Sequence, residues 1–122
     1  MNQRQNLSYD DVLLKPQYSD IKSRSEIDIS SDLTNGVVLR LPMLSSPMDT
    51  ISEGAMGNAM GFSGASAIIH RYNTIQEQLI ELNKVESPCM IGAAIGISGD
   101  YIERATAMVE AGANFLCVDV AH

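Results

Sequence analysis

ASAIIHRYNTIQEQLIELNKVESPCMIGAAI, residues 65 to 95, holds two short apolar runs separated by a segment of different period. The runs, Ala65 to His70 and Met90 to Ile95, are too short for independent helices. They are near-continuously apolar rather than alternating, as strands covered on both faces are. Between them Thr74-Ile75-Gln76-Glu77 has the Ser/Thr-x-x-Glu form of a capping box, in which hydroxyl and carboxylate each satisfy a free amide of the first turn. Ile75, Leu79 and Leu82 then share one face, which predicts a helix over Ile75 to Lys84. Strand, helix and strand in this order describe a parallel pair with a helical crossover.

Outward from this unit the rhythm repeats at intervals of about 25 residues, with further apolar runs at Leu41 to Ser46 and Phe115 to Val120. Downstream, Gly99-Asp100 precedes a segment that sets Ile102, Ala105 and Val109 on one stripe. Gly112 stands where a left-handed cap is expected, so that helix should end near Ala111. Upstream, Ser52 is placed to cap a short helix through Glu53, Ala55, Met56, Ala59 and Met60. Gly54 and Gly57 weaken this helix by up to about 1 kcal/mol each relative to Ala. Four strands therefore alternate with three helices in an α/β fold. A fourth strand with no helix after it leaves an apolar edge to be covered, so the expectation is a piece of a longer chain or an edge completed by another polypeptide. An open flavodoxin-like sheet fits the same rhythm but predicts a Gly-rich phosphate loop after the first strand. Ser46-Pro47-Met48-Asp49 is not such a loop.

Composition narrows the function classes. The formal charge is −7 with eight Lys and Arg in 122 residues, which disfavours a nucleic-acid surface, where affinity comes from clustered cations. No apolar run approaches the roughly 20 residues of a membrane span, and the start, Met1-Asn2-Gln3-Arg4-Gln5-Asn6, is polar and unlike a signal peptide. Cys89 and Cys117 both lie in apolar stretches, which reads as buried, reduced thiols in a cytoplasmic protein. Two histidines give no familiar metal-site spacing, so no metal site is expected. Adjacent Asp10 and Asp11 point to opposite faces of an extended segment and form no acid/base pair; one should cap a turn or pair with Lys15. His70 is expected to pack at its strand end rather than to act as an acid or base.

Tyr9-Asp10-Asp11-Val12-Leu13-Leu14-Lys15-Pro16, followed by Ser46-Pro47-Met48-Asp49-Thr50 after the first strand, resembles the opening of the IMP dehydrogenase / GMP reductase family. The resemblance continues through Ile68-Ile69-His70-Arg71, Ile91-Gly92-Ala93-Ala94-Ile95-Gly96 and Val118-Asp119-Val120-Ala121-His122, and so covers essentially the whole chain. It implies the first half, about four βα units, of a TIM (β/α)8 barrel. Residues 1–40 would be an extended pre-barrel segment and residues 41–122 the first four barrel strands of one domain. The family's nucleophilic cysteine sits in a Gly-rich loop of the second half, expected beyond His122, so no catalytic residue is assigned to this chain. The regulatory CBS modules usual in the dehydrogenases are absent, since only Val85-Glu86-Ser87-Pro88 joins the second helix to the third strand.

What the resemblance implies about activity is NAD(P)-dependent redox on a purine mononucleotide. Lys22-Ser23-Arg24-Ser25-Glu26-Ile27-Asp28 is similar to a GMP reductase segment, whereas Ser45-Ser46-Pro47-Met48 is similar to the dehydrogenases. The balance leans to a reductase converting GMP and NADPH to IMP, ammonia and NADP, with IMP dehydrogenase using NAD as the alternative. By resemblance, Ser46 and Met48 would contact the mononucleotide, GMP or IMP. Ser23 and Arg24 would reach the cofactor of a neighbouring subunit in a homo-oligomer, usually a tetramer. Arg71 would contact the cofactor, and Asp119, with Val120 and Ala121, would bind the ribose side of its nicotinamide half. The family's monovalent cation, potassium, would belong around the cysteine loop. A reading of another class is a non-catalytic half-barrel that binds nucleotide or completes a partner.

Overall fold

The computed structural model describes residues 6–33 and 36–121. The polar start Met1–Gln5, and His122 at the end of the last recognised motif, lie outside the described residues. Residues 6–30 are exposed throughout and contain two single 3-10 turns, Tyr9–Asp11 and Arg24–Glu26. In the first, Asp11 Oδ2 accepts from the Ser8 amide at 2.8 Å and the Ser8 hydroxyl at 2.9 Å, so Asp11 is the capping member of the Asp pair. Both bonds favour the carboxylate and hold the Asp11 carboxyl below its ordinary pKa, the amide contributing most. A two-residue antiparallel ladder follows, β1 (Ser31–Asp32) with β2 (Val38–Leu39), in the register Ser31 to Leu39. Strands this short leave no period-2 signature and are not legible in the sequence.

The body is a four-stranded parallel sheet, β3 (Leu44–Ser45), β4 (Ser66–Ile69), β5 (Ile91–Ile95) and β6 (Phe115–Val118), laid side by side in chain order. Its helices are α1 (Gly54–Phe62), α2 (Ile75–Asn83) and α3 (Tyr101–Glu110). Side chains from all three pack on one sheet face, where Ala67, Ile69, Ile91 and Ala93 meet Met56, Met60, Leu79, Leu82 and Met108. Doubly wound sheets reverse strand order and carry helices on both faces. Sequential order with one-sided helices excludes that winding for this sheet and is the arrangement of a (β/α) barrel segment. The two central strands are wholly buried, while exposure rises toward β3 and β6 at the edges.

Several local expectations hold and others need correction. Thr74 caps α2: its hydroxyl accepts from the Glu77 amide at 3.2 Å while Glu77 Oε2 accepts from the Thr74 amide at 2.9 Å. Gly112 ends α3 at φ +96°, with the Ala113 amide bonded back to the Met108 carbonyl. The first sheet strand is only Leu44–Ser45 rather than Leu41 to Ser46, because Pro42 has no amide and the Met43 amide turns back onto the Leu41 carbonyl. On α3 the buried stripe is Arg104, Ala107 and Met108, not Ile102, Ala105 and Val109; Ile102 and Val109 are exposed. Both stripes obey helical spacing, and the sheet takes the one whose buried arginine has polar partners. Cys89 and Cys117 are free, as expected, but half-buried rather than buried.

Ser52 does not cap α1. Glu53 is the N-cap residue and offers no side-chain bond, and the Gly54 amide is instead capped by Glu81 Oε2 of α2 at 3.1 Å. The Lys84 ammonium, more than that amide, holds the Glu81 carboxyl below its ordinary pKa. The α1 glycines permit this close approach. A methyl group at Gly57 would lie 2.7 Å from Val85 Cγ2 and 3.1 Å from Ile91 Cδ1. Gly57→Ala should therefore lower stability by about 1 kcal/mol, overpacking of about 1–3 kcal/mol being offset by a helix-propensity gain of up to about 1 kcal/mol. A thermal melt checks this, and a raised Tm would show that Val85 yields.

Candidate functional site

Because the four sheet strands are parallel, the loops that follow them gather at one edge of the sheet, the C-terminal edge where barrel enzymes build their sites. Residues 46–52 follow β3, residues 70–74 follow β4, residues 96–100 follow β5 and residues 119–121 follow β6.

The first loop is wound on itself. The Met48 amide donates to the Ser46 carbonyl at 2.8 Å, the Ser52 amide to the Met48 carbonyl at 3.0 Å, and Thr50 takes φ +60°. Ser52 is fully buried beneath the loop; its hydroxyl donates to the Ser46 carbonyl and lies 2.8 Å from Ser45 Oγ. Ser52 is thus the loop's internal fastener, a role masked in the sequence by its resemblance to a helix cap. With the main chain so held, the Ser46 and Met48 side chains are exposed at the strand end, Met48 at 51%.

The second loop begins with His70, which is 4% exposed. Its Nδ1 accepts from the Tyr72 amide at 3.2 Å, so the neutral ring carries its proton on Nε2, which lies 3.5 Å from Glu53 Oε1. This is the packed strand-end histidine expected. Beside it an acidic cleft of about 370 Å³ opens between Asp49, Glu53, Tyr72 and Glu77. No group of His, Cys, Asp and Glu suited to a metal ion is found among the described residues.

Arg71 and Asp119, 48 positions apart, are brought together across the ends of β4 and β6. The guanidinium donates twice to the Asp119 main-chain carbonyl, from Nη2 at 2.7 Å and Nε at 3.1 Å. Its Nε also lies 3.5 Å from Asp119 Oδ2. The Asp119 side chain stays 29% exposed, yet Oδ2 is buried and takes no hydrogen bond from the described residues. The Asp119 amide is tied to the Ile95 carbonyl at 2.9 Å, which fixes the residue from the β5 side as well. Tyr72 stacks under the guanidinium, its ring centroid 5.5 Å from Arg71 Cζ. Val120 and Ala121 follow, both exposed.

Other candidates lie elsewhere. Ser23 and Arg24 are in the exposed 3-10 turn of the leading segment, where Ser23 Oγ accepts from the Ser25 amide at 3.3 Å. Among the described residues Arg24 has no ion pair. Cys117 is on β6, and burial, then the neighbouring Asp119 charge, raises its thiol pKa, which keeps it protonated and poorly nucleophilic at neutral pH. A polar cluster beneath the site went unseen in the sequence. Gln78 of α2 is fully buried and donates to the Ile69 carbonyl at 3.2 Å and the Ala94 carbonyl at 2.9 Å. Arg104 of α3, 6% exposed, donates to Gln78 Oε1 at 2.8 Å. A Gln and an Arg on amphipathic helices ordinarily read as solvent-facing residues, so only three-dimensional placement reveals them.

Among known proteins, the model of the IMP dehydrogenase / GMP reductase domain matches residues 6–122. The inosine-5'-monophosphate dehydrogenase of Nitrosopumilus maritimus is 43% identical over 102 residues, 82% of this chain and 21% of that protein. The GMP reductase of Leishmania donovani is 39% identical over 80 residues, 66% of this chain and 16% of that protein. The inosine-5'-monophosphate dehydrogenase of Cryptosporidium parvum is 29% identical over an alignment that covers 95% of this chain and 39% of that protein. The chain thus spans well under half the length of these relatives.

Proposed function

The chain belongs to the IMP dehydrogenase / GMP reductase family, and on that premise we propose that it forms the purine-nucleotide and nicotinamide-facing part of an NAD(P)-dependent oxidoreductase. In this reading residues 41–122 are the first half of a TIM barrel, preceded by the segment 1–40. The observation that carries it is the Asp119 carboxylate, buried on one oxygen without a hydrogen bond and partly open at the C-terminal edge of the sheet. With Oδ2 turned inward toward Arg71, the exposed part of the carboxylate is what suits ribose hydroxyls, which donate to it in charge-assisted bonds. A bound nicotinamide supplies hydride transfer to or from the purine.

The chain's own residues bind and orient. Ser46 hydrogen-bonds the mononucleotide and Met48 packs on its base, the loop main chain being held by Ser52. Val120 and Ala121 flank the cofactor ribose beside Asp119. Ser23 and Arg24 meet cofactor bound to a neighbouring subunit in a homo-oligomer, which suits their position on an exposed segment. Neither Cys89 nor Cys117 serves as nucleophile; the covalent step belongs to a cysteine loop beyond this chain, along with the potassium site.

The reductase direction, GMP and NADPH to IMP and ammonia, rests on Lys22–Asp28. The dehydrogenase direction, IMP and NAD to XMP, is favoured by Ser45–Met48. Calorimetric titration with GMP, IMP, NADPH and NAD, alongside assays in both directions, tests the proposal. The full chain is expected to bind mononucleotide and dinucleotide, with preference for GMP and NADPH, and not to turn them over. Turnover by this chain alone would place the nucleophile at Cys89 or Cys117 and overturn the assignment.

A further inference from the structure

We propose that Arg71 is a positioning residue for Asp119 rather than a ligand of the cofactor, an inference that rests on the reading of Asp119 as the cofactor-ribose carboxylate. Its guanidinium turns the Nε–Nη2 edge onto Asp119, with two donors on the carbonyl and Nε close to Oδ2. Arginine suits this task because its fixed fork grips one oxygen with two donors, whereas a lysine offers a single flexible ammonium. Residue 119 is thereby held from two sides, by Arg71 at its carbonyl and by the β5 carbonyl of Ile95 at its amide. With the main chain fixed on both sides, the carboxylate direction is set before a ligand arrives, and binding loses less ordering entropy. The charge of Arg71 also offsets the inward oxygen, which has no hydrogen bond of its own.

Two neighbours hold the guanidinium in turn. Tyr72 presents its ring face to it, and Gly96, at the end of β5, leaves room beside it. A methyl group at Gly96 would lie 3.4 Å from Arg71 Nη1, already in van der Waals contact, so the added methyls of a valine there would crowd the guanidinium. Gly96 is therefore a second, chemically independent handle on the same clamp.

A double-mutant cycle read by dinucleotide affinity tests this on the full chain, with Arg71→Ala, Asp119→Ala and the combination titrated by calorimetry. Arg71→Ala is expected to weaken binding about tenfold in the parent and less than about twofold once Asp119 is already Ala, because the clamp then has no carboxylate to direct. Arg71→Lys should recover part of the loss, and Gly96→Val should weaken dinucleotide binding while leaving mononucleotide affinity unchanged. Equal losses from Arg71→Ala in both backgrounds would mean that Arg71 touches the cofactor directly and would overturn the proposal. A null effect of Asp119→Ala, or a parent that binds no dinucleotide, would instead remove the Asp119 reading, a distinguishable failure. If Arg71→Ala does not fold, Gly96→Val carries the cycle, with the same two outcomes.

Discussion

Asp119→Ala is expected to weaken nicotinamide dinucleotide binding by about ten- to a hundredfold while leaving mononucleotide affinity nearly unchanged. Hydrogen bonds to a charged group contribute about 1.5 to 3 kcal/mol each, and one such bond lost is enough for the lower figure. The fold should tolerate the change. Asp119 follows the last residue of β6, its structural ties run through its main-chain amide and carbonyl, and its Oδ2 has no hydrogen bond to lose. Its ion-pair partner among the described residues, Arg71, keeps its two bonds to the carbonyl in the variant, and a partly exposed pair at 3.5 Å contributes little. Calorimetry with each ligand separately is the measurement. Equal loss for both ligands would point to a collapsed strand end, and unchanged dinucleotide affinity would remove Asp119 from the site.

The parts of this molecule that sequence made legible are those where one local signal has one physical meaning. Thr74 and Glu77 form a capping box whatever surrounds them, and Gly112 ends α3 because it takes φ +96° with no side chain to oppose it. The uniformly apolar runs became the buried central strands β4 and β5. Reading failed where two placements satisfy the same pattern. Ser52 has the chemistry of a cap and serves as a loop fastener, because Glu81 from another helix reaches the α1 terminus first. Ile102 and Val109 share a helical face as well as Arg104 and Met108 do, and only the neighbouring Gln78 and Asn73 decide which is buried. Of the proposed site, Ser46, Arg71 and Asp119 are candidates by resemblance alone, and the grip of Arg71 on the Asp119 carbonyl spans 48 positions and leaves no local trace.

Arg104→Ala is expected to lower stability by about 3 kcal/mol. At the C-terminal end of the sheet, the Ile69 carbonyl of β4 and the Ala94 carbonyl of β5 both accept from one Gln78 amide group. Since Nε2 must donate to both, Oε1 is left facing the protein interior, and Arg104 Nη1 is its donor at 2.8 Å. The same guanidinium donates from Nη2 to the Asn73 carbonyl at 2.9 Å, which anchors the loop between β4 and α2, and to Asp100 Oδ2 at 2.9 Å. Truncation strands two acceptors, one fully buried, and each unpaired buried acceptor costs about 1 to 3 kcal/mol. For a chain of this size that should lower Tm by roughly 10 to 15 °C. Asp100 is the control. Its side chain is 52% exposed, and Asp100→Asn removes the charge while keeping an oxygen that accepts from the buried Arg104 guanidinium, so this change should cost less than about 1 kcal/mol although it deletes the ion pair. Thermal melts of the two variants separate the explanations: comparable small losses would mean that water replaces the Arg104 donors, whereas a large loss for Arg104 alone locates the stability in the hydrogen bonds beneath the site rather than in the charge pair.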